Sequence, residues 1–170
     1  KEYYVTAATA YQLFKKLSVA YAADFFRNEL NRTDNFALAF ANPVRNSFLQ
    51  SATVRYKGSR LEAQAQLLHS MVREKVEAGN PAMPINIVKP AIGISYKLLN
   101  YFPLFIRASF KSIFRNPSFD DLYYTNIGNT NLRPEYSDQY NVAFTGIVAA
   151  NKLWKQLFIT VDGYYNNITD

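Results

Sequence analysis

Three observations predict an all-β chain of antiparallel, up-and-down strands. Apolar and polar residues alternate with a period of two through about eight segments, which is the pattern of strands whose two faces differ. Tyr and Phe, 13 of each, supply nearly all of an aromatic fraction of 16%, and aromatic side chains favour a pleated surface. Short and long connections alternate between the segments, as they do in a barrel that crosses an outer membrane.

The eight predicted strands are runs in which every second residue is apolar. In the second run, Leu17, Val19 and Tyr21 lie on one face, while Ser18 and Ala20 lie on the other. The predicted strands cover residues 2–9, 17–28, 46–56, 60–74, 86–97, 104–113, 135–145 and 153–169. No apolar run approaches the roughly 20 residues that a membrane-spanning helix needs, so a helical membrane protein is not expected.

The fourth predicted strand has a competing interpretation as a helix. Residues 60–75 contain good helix formers, and Leu61, Ala65 and Leu68 are spaced as one face of a helix. The strict alternation Leu-Glu-Ala-Gln-Ala-Gln-Leu over 61–67 favours a strand instead. We therefore predict a strand here and keep the helix as the alternative.

The connections favour a membrane barrel. Short connections are predicted near 11–16, at 57–59, near 99–103 and near 148–152, and long ones at 29–45, 76–85 and 115–134. Outer-membrane barrels have short turns on the periplasmic side and long loops outside. A soluble β-sandwich also alternates loops, but with less regular differences in length.

The two faces of the predicted strands differ in charge. One face is almost free of charge, and the other carries Asp24, Arg55, Glu62, Lys97, Arg107, Lys111 and Asp162. In a barrel the apolar face meets lipid and the charged face lines a hydrated lumen. Glu62, Arg107, Lys111 and Asp162 are therefore the candidate lumen-facing residues. In a soluble sandwich the same alternation would place the charged face in water.

The residues that carry enzymatic chemistry are scarce, so the chain is predicted not to be an enzyme. It has no Cys, and its only His is His69, which rules out a metal site of His and Cys. No catalytic residue, cofactor or metal ligand is expected. The pair Asp120-Asp121 has the hard oxygens that bind Ca²⁺, but a solvated loop that begins with a helical turn is favoured. The net charge of +6 is spread along the chain, so nucleic acid is not an expected partner.

The loop before the seventh predicted strand has a distinctive motif. It combines Arg115, Pro117 and Phe119, then Asp121-Leu122-Tyr123, then Gly128-Asn129, then Leu132-Arg133-Pro134-Glu135. This motif resembles the barrel domain of TonB-dependent outer-membrane receptors, which import iron chelates, cobalamin and glycans. The final run, 161–170, is similar to the strand that follows in that family. The resemblance is specific from about Ile106 to Asp170 and only general upstream.

Structural roles are predicted for the motif residues, with no contact to ligand. Gly128-Asn129 permits the positive φ of a tight turn. Pro134 stiffens the entry into the seventh strand. The side chains of Phe119, Leu122 and Tyr123 are expected to fold the loop onto the barrel wall. Arg115 and Glu135 are expected to pair across the base of the loop. Pro117, Asn129 and Leu132 complete the motif.

The resemblance implies a partial barrel that belongs to an importer. Such barrels have about 22 strands around a plugged lumen, so residues 1–170 would be one barrel segment of about eight strands, with the plug domain and signal peptide absent. The expected location is the outer membrane of a Gram-negative bacterium, in contact with its lipid. The TonB complex would act through the missing plug to import siderophore-bound iron, cobalamin, haem or a glycan, and the sequence does not specify which. Two open strand edges predict edge-to-edge association of the segment.

Two other readings remain compatible with the alternation. One is a soluble β-sandwich that binds carbohydrate through its Tyr and Phe side chains. The other is a small, complete outer-membrane barrel, because eight strands are enough for one.

Overall fold

The strands form one antiparallel sheet in which every strand pairs with its neighbours in the chain. The computed structural model describes residues 1–31, 40–100, 102–124, 127–149 and 156–169. Its strands are β1 Glu2–Phe14, β2 Leu17–Glu29, β3 Val44–Lys57, β4 Leu61–Lys75, β5 Ile85–Lys97, β6 Leu104–Arg115, β7 Glu135–Ala149 and β8 Gln156–Thr169. The sheet order runs from β1 to β8 without a crossover. The predicted all-β, up-and-down fold is confirmed.

The predicted strand boundaries differ from the structure mainly in β1, β7 and β8. β7 continues to Ala149, past its predicted end at residue 145. β1 continues to Phe14, past the predicted end at residue 9, because Tyr11 pairs with Val19 and Gln12 with Ser18 before the turn. β8 begins at Gln156, and the predicted residues 153–155 lie outside the described part. The segment 61–75 is a strand, so the helical alternative is wrong. Its backbone pairs with β3 on one side and β5 on the other, and this pairing outweighs helix propensity.

The register gives the sheet one apolar face. Residues that lie opposite each other on neighbouring strands share a face, so Val54, Ala65, Ile92, Phe110, Tyr140 and Tyr165 form one row across the sheet. The rings of Phe110 and Tyr140 lie 5.0 Å apart. Val54, Ile92 and Tyr140 are each close to half exposed. Large apolar side chains in a continuous exposed face require an apolar neighbour.

The sheet does not fit the two other interpretations of the alternation, a soluble β-sandwich and a small, complete eight-stranded barrel. A sandwich covers its apolar face with a second sheet, whereas the described strands all belong to one sheet. A closed eight-stranded barrel pairs its first strand with its last. Among the described residues, β1 pairs only with β2 and β8 only with β7.

The ladder between β5 and β6 stops halfway. The pairing runs from Lys97 opposite Phe105 to Ala91 opposite Lys111, and residues 85–90 have no partner on β6. We call this gap, between residues 85–90 of β5 and 112–115 of β6, the seam. The seam opens at the end of the sheet where the three long loops lie.

Pro90 explains why the ladder stops. Successive residues of a strand direct their N–H groups to opposite neighbours. The N–H of Lys97 donates to the carbonyl of Arg60, next to β4, and the N–H of Leu98 donates to Leu104 on β6. The N–H groups of even-numbered residues in β5 therefore point towards β6. Pro90 is one of these residues, and it has no N–H to donate. Pro90 is the sixth residue of β5, and it ends the pairing with β6.

The only helix of the described part of the chain is short. It is α1, Phe119–Tyr123, in the loop between β6 and β7. No helix within the described ranges is long and apolar enough to cross a membrane.

Candidate functional site: a charged groove and an inward-folded strap

The helix α1 begins with a capping box. The N–H of Asp121 donates to Oγ of Ser118 at 3.1 Å, and the N–H of Ser118 donates to Oδ2 of Asp121 at 2.9 Å. These two hydrogen bonds satisfy N–H groups that have no partner inside the helix. The backbone and hydroxyl of Ser118 lower the pKa of the Asp121 carboxyl. The predicted helical turn at Asp120-Asp121 is confirmed, and within the described residues no cluster of His, Cys, Asp and Glu could hold a metal ion.

Residues 116–124, which we call the strap, fold inward onto the polar face of β3 and β4. Nη2 of Arg45 donates to the carbonyl oxygen of Pro117 at 2.7 Å. The same guanidinium carbon lies 4.7 Å from the centre of the Phe119 ring. The hydroxyl of Tyr123 donates to Glu74 and accepts from the N–H of Ala82 at 2.9 Å. The strap leaves β6 and attaches to β3 and β4, which lie beyond β5 in the sheet.

The contact surface under the strap is the most buried part of the described fold. Leu122 and Tyr123 of the strap are 3% and 8% exposed, and Val72 on the polar face of β4 is 2% exposed. Folding of Leu122 and Tyr123 onto the barrel wall is therefore as predicted. Phe119 is half-buried against Arg45.

An ion pair at the centre of this contact is largely shielded from solvent. Arg45 and Glu74 lie opposite each other on β3 and β4, 2.5 Å apart, with side chains that are 15% and 5% exposed. Burial, followed by the hydrogen bond to Glu74, raises the pKa of Tyr123 from 10.0 to about 12. The Tyr123 hydroxyl is therefore protonated at neutral pH, as a donor to Glu74 must be. Because this pKa is raised on docking, the stabilisation is complete below pH 10 and is lost as the pH rises through about 12.

Arg115 and Glu135 form the predicted ion pair at the base of the loop. Nε and Nη2 of Arg115 donate to the two carboxylate oxygens of Glu135 at 3.0 and 2.8 Å. The side chains are 71% and 46% exposed. Arg115 is the last residue of β6 and Glu135 is the first residue of β7. The two lie opposite each other in the β6–β7 register, so the pair marks the point where the loop leaves the sheet.

Arg115→Met is expected to leave the stability of the protein nearly unchanged. Exposed ion pairs contribute little, because water and salt screen the charges and ordering two long side chains costs entropy. The measurement is the thermal unfolding midpoint in detergent at low and high salt. A large, salt-dependent fall in the midpoint would contradict this view of the pair.

The predicted role of Gly128 is wrong. Among the described residues the one glycine with a positive φ is Gly79, at 84°, so Gly128 does not supply a left-handed turn. Instead, a Cβ at Gly128 would lie 2.6 Å from the carbonyl oxygen of Leu122 and 2.7 Å from the nitrogen of Tyr124. Its own N–H donates to the carbonyl of Tyr124 at 2.7 Å. Gly128 is therefore the point at which the chain passes directly against the end of α1.

The other motif residues close the loop behind the strap. The N–H of Asn129 donates to the carbonyl of Asp121 at 3.0 Å, and Oδ1 of Asn129 accepts from the N–H of Asn131 at 3.0 Å. Leu132 is 42% exposed, and its N–H donates to Asn129. Pro134 is buried and directly precedes the first residue of β7. These contacts hold the returning segment against α1.

The four candidate lumen-facing residues lie around one groove on the polar face. Glu62, Arg107, Lys111 and Asp162 all line a groove of about 820 Å³. The register places Glu62, Ser95, Arg107, Ala143 and Asp162 in one row across β4 to β8. Lys111 lies four residues further along β6, towards the seam. The groove therefore alternates acidic and basic groups over a floor of small side chains.

Arg55 extends the groove towards β3 and β2. Its Nε and Nη2 both donate to Oε1 of Gln64, at 3.1 and 2.8 Å, so its charge is held over β4. His69, the lone histidine, lies on the opposite, apolar face, where Nε2 is 2.7 Å from Oδ1 of Asn86. It has no place in the groove.

A part-buried polar cluster at the seam was not predicted from the sequence. Nζ of Lys89 donates to Oγ of Ser112 at 3.1 Å, and Oγ of Ser112 donates to Oδ1 of Asp138 at 2.6 Å. The Lys89 ammonium also lies 4.2 Å from the centre of the Tyr136 ring. We call Lys89, Ser112 and Asp138 the stitch, because they connect β5 to the paired strands β6 and β7 where β5 and β6 have no backbone ladder. The sequence signal that points to this place is Pro90.

The sheet, its uncovered apolar face and its charged opposite face define a segment of a β-barrel wall. Residues 26–170 match the family model described as TonB dependent receptor-like, beta-barrel. The chain therefore belongs to the TonB-dependent receptor family. No curated protein gives a significant match to it.

Proposed function

We propose that this chain forms part of the wall of an outer-membrane receptor that binds a scarce nutrient and imports it with energy delivered by TonB. The membership in the TonB-dependent receptor family, over residues 26–170, carries the proposal. In this arrangement the apolar face meets outer-membrane lipid and the groove faces the lumen. A plug domain outside residues 1–170 would make the contact with TonB, and edges β1 and β8 would pair with further strands.

The charge pattern of the groove supports the lumen assignment. Glu62, Arg107 and Asp162 lie in one row at intervals of two strands, or roughly 10 Å, with small residues between them. A charged row on an antiparallel sheet needs water or polar partners, because charges facing lipid would be costly. A hydrated lumen satisfies that need. Siderophore-bound iron, cobalamin, haem and glycans are the candidate cargoes.

The test is uptake in the source bacterium. The gene for the full-length receptor is deleted, and energy-dependent uptake of labelled ferric siderophores, cobalamin, haem and oligosaccharides is compared with that of the parent strain. Loss of uptake of one of these molecules, and the same loss in a strain without TonB, is the expected result. Unchanged uptake of the whole panel would overturn the proposed function.

Charge reversal in the groove tests its position in the lumen. Arg107→Glu or Lys111→Glu in the full-length receptor is expected to lower the uptake rate of the cargo identified above, because each reverses a charge on the proposed path. Lys15→Glu is a suitable control, since Lys15 is exposed in the turn between β1 and β2 and does not line the groove. If Arg107→Glu and Lys111→Glu both leave uptake unchanged, the groove is not on the path.

A further inference from the structure

The strap and the stitch close the same seam by different means. The strap starts at the end of β6 and is held by Arg45 on β3 and Glu74 on β4, which lie beyond β5 in the sheet. The stitch connects Lys89 of β5 to Ser112 of β6. Both therefore span the interval where β5 and β6 have no ladder. Elsewhere between these strands the backbone itself provides the connection.

At the seam, no backbone ladder joins β5 to β6. An antiparallel ladder adds two backbone hydrogen bonds at every second residue pair, and these bonds break cooperatively. Beyond Ala91 and Lys111, the Lys89 ammonium donates a hydrogen bond across the seam to the Ser112 hydroxyl. In the docked strap, Oδ1 of Asn116 is buried and has no hydrogen-bond partner among the described residues. A buried acceptor without a partner lowers the stability of the docked strap. The docked state is therefore one that a local change can release.

We propose that the strap and the stitch are the two latches of a single gate, which opens when the outer ends of β5 and β6 part at the seam. Moving β6 away from β5 withdraws the strap from β3 and β4, because the strap is continuous with β6. Conversely, release of the strap frees the end of β6 from its attachment to β3 and β4. The gate rests on the proposed function only for its purpose: it lies at the long-loop end of the sheet, where cargo would enter.

Amide hydrogen exchange of the full-length receptor in detergent tests the coupling directly. Tyr123→Phe removes the hydroxyl that bonds Glu74 and Ala82, and Lys89→Met removes the stitch. Each variant is expected to raise exchange about tenfold or more in both places: the strap at 118–124, and the seam at 85–90 and 112–115. Tyr124→Phe, at a side chain that is 59% exposed, and Lys97→Met, in the paired half of β5, are the matched controls and are expected to change neither.

Faster exchange in the strap alone after Tyr123→Phe, with the seam unchanged, would overturn the single gate. An effect of Lys89→Met on the seam alone would do the same. The exchange measurement does not require transport. If the receptor imports none of the tested molecules, the proposed function is contradicted, but the exchange result still tests the gate independently.

Pro90→Ala tests whether the gate serves import. It supplies the N–H that faces β6, so the ladder is expected to lengthen and exchange at 112–115 to slow. Uptake of the identified cargo is then expected to slow several-fold, while cargo binding to the outer side is unchanged. Slower exchange at the seam with an unaltered uptake rate would show that the seam does not open during import.

Discussion

Glu74→Ala is expected to release the strap from the wall. The substitution removes one partner of a shielded ion pair and leaves Arg45, whose side chain is 15% exposed, without its carboxylate. Breaking a buried pair from one side costs about 3 kcal/mol or more, and Tyr123 loses its acceptor in the same step. A loss of about 3 kcal/mol corresponds to roughly a hundredfold rise in the population of the undocked strap. The measurement is amide exchange at 118–124 in the full-length receptor.

Two variants separate the charge from the hydrogen bond. Glu74→Gln keeps an acceptor for the Tyr123 hydroxyl but removes the charge that Arg45 pairs with, so an intermediate effect is expected. Glu62→Ala is the matched control on the same strand, because its contact with Lys57 is 3.7 Å long and both side chains are more than half exposed. It is expected to leave the strap unchanged. Exchange at the strap that is the same in Glu74→Ala and Glu62→Ala would show that the ion pair does not hold it.

The strands were predictable because their signal is local. Apolar and polar residues alternate within each strand, and the neighbouring strand is the next one along the chain. The segment 61–67 shows the limit of this reasoning, since its residues suit a helix as well as a strand. Pairing with β3 and β5 decided between them, and that pairing is a property of the sheet rather than of the segment.

The strap contacts were not predictable because they are distant in sequence. Arg45 and Glu74 are 29 residues apart, and Glu74 and Tyr123 are 49 apart. The motif predicted that Leu122 and Tyr123 would pack on the wall, but nothing in it specified which strands would receive them. The contacts of the stitch were not predictable for the same reason. Lys89, Ser112 and Asp138 are unremarkable one by one, and only the proline beside Lys89 marks the place.

Gly128→Ala is expected to displace the segment that returns from the strap. The added Cβ would meet the Leu122 carbonyl oxygen at 2.6 Å and the Tyr124 nitrogen at 2.7 Å. Both are backbone atoms at the end of α1, so no side-chain rotation can relieve the contact. Overpacking of this kind costs about 1–3 kcal/mol. We expect faster exchange at 118–124, and easier cleavage of the loop by an added protease.

Two other glycines distinguish the causes of such an effect. Gly163→Ala places a Cβ in open space on β8 and is expected to change nothing. Gly79→Ala also meets no atom within 4 Å, but its φ of 84° makes alanine strained there, at a cost of about 1–2 kcal/mol in the β4–β5 loop. The glycine of a Gly-Asn pair is usually explained by positive φ. If Gly128→Ala leaves the strap as protected as Gly163→Ala does, the close approach to α1 is not what requires glycine at this position.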